Sequence, residues 1–342
     1  MRQAILRAPR VLDLVEMAVP SPGPGEVVVR IRAALTCGTD LKIYRRGHPR
    51  VSFGPFGHEA AGDIAAVGEG VGGFQVGQPV AFVHTAGCGR CEPCRRGREN
   101  LCATLFEEIA LGAYGDFLRL PARIVSRHLF PKPQGLSYLE AAFLEPLACV
   151  VHAWERLGPA AVASVAVIGV GPIGLLHIHE ARRRGHEVIA VGRRPAGLAL
   201  AARAGANHTL DSSATDIGQA LRALTGGGPD LVIECTGSPD VWNAAPDWAA
   251  PGGRVLLFGG LPGESRVAFD ATHLHYGEVD LVSTFHYRTA DVRQALQLLA
   301  SGAMKPYDMI TGARPLGDIG AVFQDLDRGV GTKYAVLPED EP

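Results

Sequence analysis

Cys88, Cys91, Cys94 and Cys102 stand at the spacing C-x2-C-x2-C-x7-C, in a stretch that opens Gly87-Cys88-Gly89-Arg90-Cys91-Glu92-Pro93-Cys94. Four thiolates this close can fold around one tetrahedral zinc ion at metal–sulfur distances of about 2.3 Å. With every position filled, no place is left for substrate, so the role would be structural. Arg90, Arg95, Arg96 and Arg98 lie alongside and would offset the negative charge of a four-thiolate centre. An iron–sulfur cluster is the competing use of these thiols. Unmetallated core packing suits the glycine and charged neighbours poorly.

A second group is Cys37-Gly38-Thr39-Asp40 with Gly57-His58-Glu59. Either segment alone reads as a packed thiol or a surface pair, and a ligand set needs a third element. The candidate is Glu145, in Leu144-Glu145-Pro146-Leu147, because burying a carboxylate in an apolar run is costly unless a cation or hydrogen bonds compensate it. Soft Cys, borderline His and hard Glu make a mixed zinc site able to keep one position for water or substrate.

The third signal is Gly169-Val170-Gly171-Pro172-Ile173-Gly174, directly after the apolar run Val165-Ala166-Val167-Ile168 and directly before Leu175-Leu176-His177-Ile178. A glycine pattern at a strand-to-helix turn lets the backbone approach a pyrophosphate while a helix N-terminus points at it. Roughly 20 residues on, where an NAD site places Asp or Glu for the ribose 2′-hydroxyl, the chain has Val191-Gly192-Arg193-Arg194. Two arginines there favour a 2′-phosphate. Solvated surface charge is the bland alternative.

These residues must be positioned by two kinds of element. As far as about Val150, turn signals at Ser21 to Gly25 and Gly70 to Gly73 and the run Val27 to Arg32 predict a β-rich lobe. From about Val165, apolar runs at Val165 to Gly169, Glu187 to Val191, Leu231 to Glu234 and Arg254 to Phe258 alternate with Ala- and Arg-rich stretches. That alternation predicts a parallel, doubly wound sheet. A helix at about Asp291 to Ala300 belongs to a C-terminal part too short for its own core, which is expected to return to the first lobe.

A chain of 342 residues suits two domains. The 33 Lys and Arg against 35 Asp and Glu, a net charge of -2, supply no electrostatic reason for a nucleic acid or anionic membrane partner. Residues Met1 to Met17 lack the unbroken apolar region of a signal peptide, and Val162 to Leu176 is too short and glycine-broken to span a bilayer. Seven cysteines, four of them clustered, fit a reducing compartment better than a disulfide framework, and a cytoplasmic location is expected.

Together these motifs resemble the zinc-dependent medium-chain dehydrogenase/reductase family along nearly the whole chain. The resemblance rests on Cys37-Gly38-Thr39-Asp40, Gly57-His58-Glu59-Ala60-Ala61-Gly62 continuing to Val67-Gly68, the four-cysteine lobe, Gly169 to Gly174, and Val255 to Gly259 followed by Gly260. Glu145-Pro146-Leu147 is similar to the sorbitol and polyol dehydrogenase branch. The resemblance implies an α/β architecture: a GroES-like β-rich catalytic domain at 1–150 and 290–342, carrying the zinc lobe at about 85–103, and a Rossmann domain at 151–289. A cleft between them would have zinc on one wall and nicotinamide on the other.

The family pattern also implies two zinc ions per chain. A catalytic one would have Cys37, His58, Glu59 and Glu145 as its environment, and a structural one would sit on Cys88, Cys91, Cys94 and Cys102. Gly169, Gly171, Pro172, Ile173, Gly174, Gly192, Arg193 and Arg194 would bind the cofactor, with NADP(H) preferred over NAD(H). Thr39 would pass the substrate proton onward, the bland reading being that its hydroxyl caps the following helical turn.

The expected reaction interconverts a secondary alcohol, of polyol, cyclitol or sugar-like kind, and its ketone by hydride transfer in a homodimer or homotetramer. Many polyol dehydrogenases have Arg where this chain has His286, which favours the alternative of a pathway-specific dehydrogenase of an amino sugar or secondary-metabolite alcohol. A non-catalytic NADP-sensing protein is the alternative from another class, and the open ligand set at Cys37, His58 and Glu59 argues against it. His84, His152, His273 and His275 receive no role, and Cys149 and Cys235 read as ordinary buried thiols.

Overall fold

A computed structural model describes residues 1–48, 51–158 and 162–338; the parts of the expected domains at 49–50, 159–161 and 339–342 lie outside these. The chain forms two compact units, one of Met1–Val151 with the residues from His286 onward, the other of His152–Phe285.

In the second unit six parallel strands lie in the spatial order His208–Asp211, Glu187–Gly192, Ser164–Ile168, Leu231–Glu234, Arg254–Leu257, Asp280–Ser283. In chain order this is third, second, first, fourth, fifth, sixth, the doubly wound Rossmann arrangement, and the direction reverses between Ser164–Ile168 and Leu231–Glu234. All residues of Ser164–Ile168 are buried, as a strand covered on both faces requires, so it reads in sequence as a continuous apolar run. The two outermost strands carry no such signal. They lie at the sheet edges, half-exposed, and contain His208, Thr209, Asp211, Asp280 and Ser283. Ala166, Ile189, Val232 and Val255 form the core with Leu221 and Ala245 from the covering helices. Each such Val, Leu or Ile side chain contributes about 1.5–3 kcal/mol on burial.

The first unit is built around the nine-residue strand Val27–Leu35. It pairs antiparallel with Glu59–Val67, Phe117–Leu120 and Tyr334–Leu337 within a seven-stranded sheet. Phe56, Tyr114 and Phe323 meet at ring-centroid distances of 5.1 to 5.6 Å in its core. Register decides what stands beside the candidate ligands. Leu35 pairs with both Glu59 and Ala335, so Cys37, Glu59 and Lys333 come from three neighbouring strand ends. The helix expected from about Asp291 begins at Thr289, two residues before the sequence pattern places it, because Asp291 folds back to accept from the Arg288 backbone N–H at 2.7 Å. Among the described residues no helix is long and apolar enough to cross a membrane.

Candidate active site

Helix Gly38–Arg46 starts where strand Val27–Leu35 ends, and its cap is the Cys37 sulfur, which accepts from the Thr39 backbone N–H at 3.4 Å. The capping role therefore belongs to Cys37, and the exposed Thr39 side chain is not committed to it. One ligand atom each from Cys37, His58 and Glu59 lies within 4.8 Å of the others. His58 Nδ1 is hydrogen-bonded to Asp40 Oδ1 at 2.9 Å, and the Tyr114 hydroxyl donates to Asp40 Oδ2 at 2.5 Å. That leaves His58 Nε2 for a ligand role, oriented by a carboxylate behind the ring as ligating histidines usually are. Burial disfavours the charged imidazole, yet Asp40 and Cys37 outweigh it and hold the His58 pKa well above its ordinary value.

Glu59 is fully buried and divides its two oxygens. Oε2 accepts from Lys333 Nζ, which also donates to the Thr36 carbonyl at 2.9 Å, whereas Oε1 is buried without a partner. An unsatisfied buried carboxylate oxygen beside a thiol and an imidazole is what a cation-binding cradle would present. Glu145 belongs to a second group rather than the first: its ligand atoms cluster within 4.8 Å with those of His84 and His286. It still lies near the first group, with Oε2 at 4.0 Å from His58 Nε2. Burial pushes the Glu145 carboxyl up to about 7. Cys149 is partly buried and donates to Glu145 Oε1 at 3.7 Å, and Cys235 is likewise partly buried.

His84, Thr85 and Tyr287, which the sequence reading gave no role, gather with His286 beside Glu145. His84 Nδ1 lies 3.5 Å from Glu145 Oε1 and 3.3 Å from the Tyr287 hydroxyl. Thr85 Oγ1 contacts the Tyr287 hydroxyl at 2.9 Å and His286 Nε2 at 2.6 Å. Burial, reinforced by His58, His286 and His128, holds His84 well below its ordinary pKa, so its ring is neutral. His286 adopts a left-handed backbone, φ 60°, an uncommon conformation for a side chain of this size that clusters at functional sites. No local spacing in the sequence marks these residues, since His84 and His286 are 202 positions apart.

The Cys88, Cys91, Cys94 and Cys102 sulfurs all fall within 4.8 Å of one another, and none is in a disulfide. The Cys91–Cys102 sulfur separation of 3.8 Å equals the edge of a tetrahedron with metal–sulfur distances of about 2.3 Å. This space takes one ion and is too small for several irons with their bridging sulfides. Backbone N–H groups of Cys88 and Cys91 point at Cys102 and Cys88 sulfur, both at 3.3 Å, and such amide donors draw the Cys88 thiol down to about 6.

In the second unit, Gly169 (φ +103°) ends the first strand and Gly171 caps helix Pro172–Arg183, with Pro172 opening it. Ile173 lies in the first turn, and a Cβ at Gly174 would sit 1.8 Å from the Gly169 carbonyl oxygen, so only glycine lets helix and turn pack. Gly192 ends strand Glu187–Gly192. A Cβ there would come within 2.4 Å of Val170 Cγ2, so tight packing already demands glycine at this position. Arg193 and Arg194 are exposed just beyond, and Arg194 caps helix Pro195–Arg203.

Two family patterns match this chain: an alcohol dehydrogenase GroES-like domain over residues 23–133 and a zinc-binding dehydrogenase over residues 172–301. The sorbitol dehydrogenase of Bacillus subtilis is 31% identical over 320 residues, covering 91% of this chain and 89% of its own. The L-threonine 3-dehydrogenase of Pyrococcus furiosus is 33% identical over 270 residues, 75% of either chain. Among solved structures, a zinc-binding dehydrogenase of Sinorhizobium meliloti bound to NADP superposes with a TM-score of 0.90 at 29% identity, covering 98% of this chain and 99% of that one. The chain belongs to the zinc-dependent medium-chain dehydrogenase/reductase family. It is an oxidoreductase that joins a GroES-like domain to a Rossmann domain.

Proposed function

We propose that this enzyme interconverts a secondary alcohol and its ketone, the substrate being a polyol, cyclitol or related sugar-like alcohol, with NADP(H) as hydride carrier. The observation that carries the reading is the grouping of partly buried Cys37 with buried His58 and Glu59, with an unpartnered carboxylate oxygen, next to Glu145. Cys37, His58, Glu59 and Glu145 would surround the catalytic zinc, Glu59 being held through Oε2 on Lys333. Cys88, Cys91, Cys94 and Cys102 would hold a structural one.

When bound, zinc would supply a Lewis acid that lowers the pKa of the alcohol oxygen, and the nicotinamide would supply the hydride acceptor. The chain's own residues do the rest. Asp40, held by Tyr114, orients His58 through Nδ1. Thr39 Oγ1 would accept the alcohol proton while releasing its own hydroxyl proton to the solvent its exposed side chain faces. His84, Thr85, His286 and Tyr287 offer hydrogen-bonding atoms beside Glu145, which suits a substrate with several hydroxyl groups better than an apolar alcohol. The similarity to a sorbitol dehydrogenase supports this class, and His286 keeps an amino sugar or another secondary-metabolite alcohol as the second reading. Arg193 and Arg194 favour NADP(H), as does the NADP-bound relative. A cytoplasmic homodimer or homotetramer is the setting that family and free cysteines support.

The test is a screen of polyols, cyclitols and their ketones against zinc-loaded protein with NADP(H) and NAD(H), followed by reduced-nicotinamide absorbance. Turnover of a hydroxylated substrate is expected. Dinucleotide binding without turnover of any compound would sink the enzymatic reading and favour a sensor.

A further inference from the structure

Glu234 closes strand Leu231–Glu234, on one side of the place where the doubly wound sheet reverses. Its side chain is 0% exposed. Oε1 accepts from the Thr236 and Gly237 backbone N–H groups at 2.6 and 3.0 Å and also from the Thr236 hydroxyl. Oε2 is buried with no partner. The groups around the carboxyl are backbone amides, a hydroxyl and the Trp242 indole, none of them cationic. An ionised carboxylate placed there would leave half its charge without compensation.

The turn that Glu234 holds is wedged between two glycines. A Cβ at Gly169, the first glycine of the strand-to-helix turn, would stand 2.9 Å from Thr236 Cγ2. A Cβ at Gly259, just after the next strand, would stand 2.6 Å from Glu234 Oε2 and 2.3 Å from the Gly237 nitrogen. Trp242 Nε1 donates to the Gly259 carbonyl at 2.9 Å, and the Gly259 N–H returns to the Glu234 carbonyl at 3.0 Å. One side chain thus sets the mutual register of the segments leaving three adjacent strands. They leave from the carboxyl ends at the switch point, where doubly wound sheets receive dinucleotides.

We propose that Glu234 is a positioning residue for the cofactor: by holding the turn Cys235–Ser238 between Gly169 and Gly259, it shapes the cradle for the part of the dinucleotide common to NADH and NADPH. Burial raises its pKa against the pull of its donors. The inference rests on the reading of this unit as the nucleotide-binding one.

The test titrates zinc-loaded full chain with NADH and NADPH and follows tryptophan emission, since all three tryptophans, Trp154, Trp242 and Trp248, lie in this unit. Glu234→Gln keeps an acceptor for the turn, places an uncharged group at the Oε2 position, and should leave both dissociation constants unchanged. Glu234→Ala should raise both in parallel, by about tenfold for the loss of the hydrogen-bonded turn, with their ratio unaltered. Rescue by Gln distinguishes positioning from mere folding support. Thr236→Val keeps the backbone donors to Glu234 but removes the hydroxyl, which donates to Glu234 Oε1 and accepts from the Ser238 N–H at 3.1 Å; it should shift both constants in the same direction by less, which gives a second measurement should the alanine variant not fold. Wild-type constants in folded Glu234→Ala or Thr236→Val, or a Gln variant as weak as Ala, would overturn the proposal. Wild-type protein that binds neither dinucleotide would overturn the nucleotide-binding reading first.

Discussion

Lys333 Nζ donates to Glu59 Oε2 and to the Thr36 carbonyl, joining the residue before the last strand to the residue after His58 across 274 positions. Both side chains are essentially inaccessible to solvent. Removing one partner of such a pair strands a charge in the interior.

Lys333→Met should therefore destabilise the protein by about 3–5 kcal/mol, the usual cost of breaking a buried pair from one side. Lys333→Met combined with Glu59→Gln should recover part of the loss, because no charge is then left alone. Urea denaturation of both single variants and the double variant checks this through the cycle. Strictly additive losses would show that the two residues do not act on each other.

Cys94→Ser should remove one zinc per chain and lower the melting temperature, since structural zinc contributes folding free energy. Metal analysis of carefully prepared wild-type protein should give two zinc ions per chain. One or fewer would contradict the paired assignment. The choice between NADPH and NADH should not change in the variant.

Glu145→Gln should lower turnover by at least about 10- to 100-fold, the range seen when groups around a metal ligand are lost. The dissociation constant for the dinucleotide should stay the same, because the carboxylate is assigned to the metal side. Steady-state kinetics beside a binding titration separates the two effects, and unchanged turnover would remove Glu145 from the site.

Arg193→Ala should weaken NADPH by roughly 10- to 150-fold, the value of one hydrogen bond to a charged group at about 1.5–3 kcal/mol. NADH lacks the 2′-phosphate and should be nearly unaffected. The quantity to measure is the ratio of the two kcat/KM values. A wild-type ratio already in favour of NADH would mean that Arg193 and Arg194 are surface charges.

Asp230 accepts from the Ala163 and Ser164 backbone N–H groups at 2.9 and 2.8 Å and from the Ser164 hydroxyl at 3.0 Å. Burial works against its charge, but these donors outweigh it and hold the carboxyl below its ordinary 3.8. A carboxyl depressed in the folded state binds protons more weakly there than when unfolded. Its stabilisation is complete above the ordinary value and is lost as pH falls through the folded one. Asp230→Asn should melt at lower temperature than wild type at neutral pH, and the difference should shrink in acid below about pH 4. A difference that is constant with pH would assign it to shape rather than charge.

The amino-acid sequence by itself determined what depends on short range. The spacing of Cys88 to Cys102, the strand–glycine–helix succession around Gly169 and the alternation of apolar runs with helices are written within a few turns of chain. They therefore announce a thiolate cradle and a doubly wound sheet without knowledge of any distant contact. The edge strands His208–Asp211 and Asp280–Ser283 escape the same reading because one of their sides faces no partner strand and tolerates polar residues.

Only the tertiary structure decided which far-apart residues share a site. Antiparallel register sets Lys333 against Glu59, and the chain's return at His286 brings Tyr287 and His286 to Thr85 and His84. Side-chain direction decided that Cys37, not Thr39, caps the helix, and the approach of the Val170 side chain decided that a Cβ at position 192 would be crowded whatever the cofactor. For Lys333 with Glu59 and for His286 with Thr85 the deciding quantity is a distance through space between residues remote in the chain, and a one-dimensional pattern carries no record of it.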